Sequence, residues 1–305
     1  MSRNEFSLFN RREALTILGG LAAGARVAFA ATDPMFHFSG LDHVTLEVKD
    51  VGKSAAFYAQ IFGDTVLKEK KGARHYVKAG PNYLVLTPSG QGPAEAKVQS
   101  YLCLGIQNFQ MKEGQRSLEQ AGISWHEAPG AGLLVIDPDG VPIQLADENS
   151  WSQLEKIASP VSMAAGEPRI RPTQINHLLL AVPDPDKSAF FYEKLLGSPI
   201  SRSPQPQRIW FAAGKDRVGL SALPANPAAN KDEVNGQHIA SSGKLGLDHF
   251  GLIAPFDRAT LTRQLQEAGA KVLPQVTSGP DAAALDFRDP DGYRVQIAPP
   301  QKSAA

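Results

Sequence analysis

Residues 41–63 read LDHVTLEVKDVGKSAAFYAQIFG, and residues 175–197 read INHLLLAVPDPDKSAFFYEKLLG. Both open on a short apolar stretch with His in third place, pass an Asp, and run through Lys-Ser-Ala to a Phe-Tyr pair. In the first copy, Leu41, Val44, Leu46 and Val48 give the mixed period of a mostly buried strand. From Ser54 to Phe62 the apolar side chains recur at helical spacing, and Gly63 stands where a helix end favours left-handed backbone. The second copy repeats the pattern with Phe190, Phe191, Leu195, Leu196 and Gly197. A match of this length marks a duplication.

A second shared element closes each copy. Asp137-Pro138-Asp139-Gly140 precedes Val141–Leu145, and Asp289-Pro290-Asp291-Gly292 precedes Tyr293–Ala298. Pro fixes φ, Asp caps locally and Gly accepts positive φ, so both are turns. With Gly132–Ile136 and Ala282–Phe287 they predict hairpins. Weaker echoes of the opening strand start at Ser100 and Leu247, each followed by an amphipathic helix ending in Ala-Gly, at 111–122 and 258–269. Four strand-helix-strand modules result, starting near residues 41, 99, 175 and 246.

The remaining sequence sets the boundaries. Arg11 and Arg12 precede an apolar run ending in Ala28-Phe29-Ala30, broken by Gly19, Gly20, Gly24 and Arg26. It is too short and interrupted for a permanent membrane span and resembles a twin-arginine export signal, residues 1–30. The expected location is periplasmic or secreted. Residues 36–150 are expected to form one domain and 173–299 a second, with 151–172 as linker. Residues 223–244, polar and without period, are expected to be a long loop: a lid, a partner contact or disorder. Cys103, the single cysteine, reads as a buried structural thiol. Thirty-one basic and thirty-one acidic side chains cancel, leaving no field to attract nucleic acid. The partner expected is a small-molecule ligand, and a homodimer is compatible with the sequence.

The opening x-x-His strand, the Gly-ended helix and the Asp-Pro-Asp-Gly hairpin resemble the vicinal oxygen chelate superfamily, which includes glyoxalase I, bleomycin-resistance proteins and extradiol dioxygenases. The resemblance covers nearly all of residues 41–298. It implies an α+β fold in which βαβββ modules pair to form strand-lined cups. It also implies a divalent metal (Fe, Mn, Ni or Zn), chelated by a substrate through two neighbouring oxygens.

Mapped onto this chain, the implied metal ligands are His177, His249 and Gln296, while the remaining family position falls near Gly219. In the first half the same positions hold His43, about Val85, Tyr101 and Gln144, which points to a structural or substrate-shaping domain without metal. Two imidazoles and an amide oxygen can hold a first-row metal, though a carboxylate would compensate its charge better. Trp210, Phe211, Phe250 and Tyr293 are the expected substrate-binding residues, with core packing as the alternative. No residue is assigned as the catalytic acid or base. His238 reads as a surface residue of the long loop, and Asp286 stands where dioxygenases of the family tend to have Tyr. Three functions stay open: a metal-dependent dioxygenase-like or lyase-like enzyme acting in the second cup, a non-catalytic ligand-binding protein, or an interaction protein using the long loop.

Overall fold

Each half builds a curved sheet from its two modules. The first half contributes β1 (Phe38–Val48), α1 (Val51–Phe62), β2 (Val66–Glu69), β3 (His75–Ala79), β4 (Asn82–Pro88), β5 (Ser100–Ile106), α2 (Met111–Gln120), β6 (Trp125–Ala128), β7 (Gly132–Ile136) and β8 (Pro142–Asp147). A short helical turn, α3 (Leu154–Ile157), and β9 (Ala158–Val161) follow. The second half contributes β10 (Gln174–Val182), α4 (Pro185–Leu196), β11 (Ser201–Pro204), β12 (Gln207–Ala213), β13 (Asp216–Ala222), β14 (Val234–Asn235), β15 (His238–Ile239), β16 (Gly246–Ile253), α5 (Arg258–Glu267), β17 (Lys271–Val272), β18 (Leu285–Arg288) and β19 (Arg294–Ala298). This computed structural model describes residues 31–301 except 64, 91–95, 99, 129–130, 205, 226–231, 236 and 242. The expected export segment lies outside the described residues, as does part of the 223–244 loop.

The first sheet runs β6-β7-β8-β5-β1-β4-β3-β2-β9 and the second β11-β12-β13-β10-β16-β19-β18-β17. In both, the opening strands of the two modules meet antiparallel, β1 with β5 and β10 with β16. Each is flanked by its own module's last strand in parallel. The fold is α+β, as expected. Inside the stretch expected to be a linker, residues 158–161 instead extend the first sheet, pairing antiparallel with β2.

The helices are set by their ends. Asp50 and Asp184 are the N-caps, accepting from the backbone N–H of Lys53 and Lys187, a contact worth about 1 kcal/mol. Gly63 (φ 106°) and Gly197 (φ 79°) close α1 and α4.

The two halves share one apolar core, in which Phe57, Tyr58, Phe211, Phe250 and Phe287 are buried together. The repeated motifs explain the join. Tyr58 Oη donates to Asp289 Oδ2 at 2.6 Å and Ser54 Oγ donates to Asp291. Reciprocally, Tyr192 Oη donates to Asp137 Oδ2 at 2.7 Å and Ser188 Oγ donates to Asp139. The Ser and Tyr of each Lys-Ser-Ala helix thus grip the Asp-Pro-Asp-Gly turn of the opposite half. The remaining oxygen of each first Asp accepts backbone N–H groups of its own turn.

Candidate active site

Three opening strands carry His directly after an acid or amide: Asp42-His43, Asn176-His177 and Asp248-His249. In a regular strand, consecutive side chains point to opposite faces. Here each pair falls at a bulge, because Asp42, Asn176 and Asp248 are the extra residues where the ladders shift register. A bulge turns neighbouring side chains toward one side. The consequence is the same three times: the His Nδ1 meets its predecessor, at 2.6 Å from Asp42 Oδ1, 2.9 Å from Asn176 Oδ1 and 2.8 Å from Asp248 Oδ2.

An Nδ1–H donated to an oxygen leaves Nε2 as a bare lone pair. In the second half two of these converge, with His177 Nε2 and His249 Nε2 3.1 Å apart. Burial pushes the His177 pKa well below its ordinary value, aided by His249 and Arg217. Burial, then the charge of Arg294, lowers that of His249. Both rings are therefore neutral near pH 7, and two lone pairs face each other across a gap that suits a cation. Two nitrogens at about 2.1 Å from one ion at right angles stand about 3 Å apart.

Gly251 makes this convergence possible. It pairs with His177 on β10 and with Gln296 on β19, and a Cβ there would overlap the His177 imidazole. In the first half the matching residue is Cys103, paired with His43 and Gln144. Gly219, where a further ligand was expected, lies beneath the Trp210 ring, 2.6 Å from where its Cβ would be.

Gln296 shares the cup face with the two histidines, and all three are nearly inaccessible, at 6%, 3% and 4% exposure for His177, His249 and Gln296. Its amide nitrogen makes long contacts of 3.5 Å to both Asp286 oxygens, which leaves the carbonyl oxygen as the free end. The carboxylates nearby are already engaged. Arg294, 1% exposed, donates from Nε to Asp286 at 2.9 Å and from Nη1 to Asp248 at 3.4 Å. Against the upward push of burial, the His249 hydrogen bond and the Arg294 charge hold the Asp248 carboxyl well below its usual range.

The donor set fits a divalent ion of the softer first-row kind: two oriented neutral imidazoles and one amide oxygen. Asp248 and Asp286, in contact with His249 and Gln296, place carboxylates directly behind these donors.

Described residues of the 223–244 stretch pack beside this cup. Asp232 is buried and held by Arg288 Nε at 2.8 Å and Lys271 Nζ at 2.9 Å. Ile239 packs on Leu273 and Val276, and its carbonyl accepts from Arg294 Nη1. Ser241 hydrogen-bonds Asp248. His238, expected on the surface, is part-buried because Asp281 Oδ2 lies 2.7 Å from its Nδ1 and Arg208 Nη1 at 2.9 Å.

Of the four expected substrate-binding residues, Trp210 lies on the cup face, its ring centroid 5.7 Å from that of His177. The other three do not. Phe211 and Phe250 sit on the opposite face, fully buried in the shared core, because strand phase alternates and their neighbours Trp210 and His249 take the cup side. Tyr293 precedes β19 and donates its hydroxyl to the Glu47 carbonyl at 2.8 Å, on the other half. Asn176, Gly251 and Arg294 escaped the sequence reading, and Asp248, which the sequence offers as a spare carboxylate, instead orients His249. The thrice-repeated Asp/Asn-His dipeptide was the available signal.

The first half presents a different cup. His43, Tyr101 and Gln144 occupy the positions matching His177, His249 and Gln296, and they line an open cavity of about 510 Å³. Asp42, His43 and Cys103 bring potential ligand atoms within 4.8 Å of one another. Their chemistry does not favour an ion. Asp42 already accepts from His43 and from Ser150, and burial pushes the Cys103 thiol far up, while only a thiolate ligates well.

Comparison with known proteins gives a consistent picture. The profile of the Glyoxalase/Bleomycin resistance protein/Dioxygenase superfamily matches residues 40–145 and 174–297. A lactoylglutathione lyase of Schizosaccharomyces pombe is 24% identical over 303 residues, covering 84% of this chain and 95% of that protein. Among solved structures, the 2,3-dioxygenase LapB of Pseudomonas sp. KL28 superposes with a TM-score of 0.60 at 14% identity, over 88% of this chain and 94% of that one. The Mn(II)-bound glyoxalase of Novosphingobium aromaticivorans gives 0.55 at 15% identity, over 87% and 83%.

Proposed function

The chain belongs to the Glyoxalase/Bleomycin resistance protein/Dioxygenase superfamily, and from that premise we propose that it is a metal-dependent, lyase-like or dioxygenase-like enzyme whose chemistry resides in the second cup. The observation that carries this is the 3.1 Å approach of the Nε2 atoms of His177 and His249, with the Nδ1 of each ring held by the residue before it. His177, His249 and the Gln296 carbonyl oxygen would hold the ion. A divalent metal there would polarise a small substrate that chelates it through two neighbouring oxygens. The chain's own residues do the rest. Asp248 and Asn176 orient the rings, Trp210 walls the cup, and Ile239 and Ser241 cover its Asp248–Arg294 side. The test is metal content of the purified protein beside the His177→Ala/His249→Ala double variant. Stoichiometric metal in the first and loss in the second supports the reading; near-zero metal in both, after growth with Fe, Mn, Ni and Zn, removes it.

A second reading follows from Arg294, which already engages Asp248 and Asp286. On this reading the protein holds its ligand without turning it over, as a bleomycin-resistance-like binder. Saturable binding without product formation by the metal-loaded protein would favour it. We also propose that residues 1–30 direct export to the periplasm or beyond, on the strength of Arg11-Arg12 and Ala28-Phe29-Ala30. Fractionation of an Arg11→Lys/Arg12→Lys variant tests this, with retention in the cytoplasm as the expected result.

A further inference from the structure

One open cavity lined by described residues lies away from the His pair. It is the cup of the first half, about 510 Å³, a volume suited to a small organic molecule. Three layers of chemistry line it.

The floor offers acceptors. His43 Nδ1 faces Asp42 at 2.6 Å, which leaves Nε2 as the ring atom turned to the cup, an acceptor in the neutral imidazole. Gln144 spends its amide N–H on the Ala131 carbonyl at 2.7 Å, which leaves its own carbonyl oxygen. Tyr101 adds a hydroxyl. The walls are aromatic. Trp151 stands with its ring centroid 5.2 Å from His43, 6.0 Å from Tyr76 and 4.3 Å from Tyr83. Its buried indole N–H has no hydrogen-bond partner among the described residues.

The mouth is cationic. Lys70, Lys71, Arg74 and Lys156 line it against one acid, Glu69. Lys70 is occupied by the carbonyls of Glu155 and Lys156. Lys71, Arg74 and Lys156 form no ion pair with a carboxylate among the described residues. In a chain whose charges cancel overall, this concentration at one opening points outward to an anion.

Among the described residues, the strand that follows the closing hairpin and joins the sheet edge is found in this half. Residues 150–161 run across the β2 edge, where β9 pairs with β2 and Leu154 and Ala158 pack on Tyr76 and Val85. Ser150 Oγ ties the start of this strap to Asp42, the partner of His43.

We propose that the first cup is a binding site for an aryl carboxylate bearing a hydroxyl at its far end. The carboxylate meets Lys71, Arg74 and Lys156, the ring lies against Trp151 and Tyr76, and the hydroxyl donates to His43 Nε2 or the Gln144 carbonyl. The site needs no metal and stands independently of the second cup.

The experiment titrates metal-stripped full-length protein with 4-hydroxycinnamate by isothermal calorimetry. Saturable one-to-one binding is expected. The methyl ester should bind at least 10-fold more weakly, having lost the charge read by the mouth, and 4-methoxycinnamate should also weaken, having lost the donor read by the floor. Lys71→Ala/Lys156→Ala, on exposed side chains that leave the fold intact, should weaken binding of the acid about 10-fold and leave the ester unchanged. The double variant His43→Ala/Gln144→Ala, which removes both acceptors, should erase the difference between hydroxy and methoxy probes. The His177→Ala/His249→Ala variant should bind as the parent does, whatever its metal content. Absence of saturable binding up to millimolar probe, equal affinity for acid and ester, or loss of binding in the His177/His249 variant would overturn the proposal.

Discussion

The imidazole of His177 occupies the space that a side chain at position 251 would need. The second cup gains its His pair from that missing methyl group, as much as from the histidines themselves. Gly251→Ala should force His177 away from His249. The expected result is loss of metal stoichiometry with the fold retained, at a stability cost of about 1–3 kcal/mol for overpacking. Metal analysis beside thermal melting checks it; a variant that melts lower but holds its metal would show that the pair is not the site.

The partners behind the histidines carry a second prediction. Asp248 orients His249, and Asn176 orients His177 with an uncharged amide. Outer-shell partners of this kind typically change metal affinity by about 10–100-fold. Asp248→Asn should weaken binding by that order, and Asn176→Asp should strengthen it. Competition against a chelating indicator measures both. Asp248→Asn will also cost stability, because Arg294 loses part of its compensation.

Acid should affect the same two histidines later than it affects ordinary ones. Their folded-state pKa values lie below the usual 6.5, His177 by the larger margin. Protons therefore compete with metal only beneath that value. The stability the neutral rings contribute is complete above pH 6.5 and is lost as pH falls through the lowered pKa values. Metal retention measured from pH 7.5 down to 4.5 should hold flat past pH 6.5 before falling. A midpoint at 6.5 would mean the rings are not desolvated as described.

The latch between the halves titrates in the opposite sense. Burial raises the Asp289 carboxyl from the usual 3.8 to about 6, despite the opposing hydrogen bond from Tyr58. The folded chain keeps that proton at pH values where the unfolded chain has released it, so this group's contribution declines as pH rises from about 4 to about 6. Asp289→Asn removes the ionisation. Its stability relative to the parent should improve by about 1–3 kcal/mol between pH 4.5 and 7.5, read by urea denaturation at each pH.

Tyr58→Phe and Tyr192→Phe test the latch without charge. Each removes one buried hydroxyl from an Asp and should cost about 1–3 kcal/mol. Because the two contacts are separate, their effects should add in the double variant. Chemical denaturation of the three variants settles additivity.

What the sequence determined by itself was local and periodic. Two copies of one motif fixed four modules, because a helix and a strand each write their period into consecutive residues: α1, α4 and both closing hairpins lie where the pattern placed them. The same periodicity identified His43, His177 and His249 as strand residues at equivalent positions. Tertiary structure decided which of them meet. A pairing register is a relation between strands distant in sequence, and the bulges at Asp42, Asn176 and Asp248 leave no periodic trace. Only that register places Gly251 beneath His177, turns Phe211 and Phe250 to the core, and lets Arg294 take up Asp248 and Asp286. It also decided that the half lacking the His pair keeps the open cup, since residues 150–161, expected to link, fold back as a strap beside it.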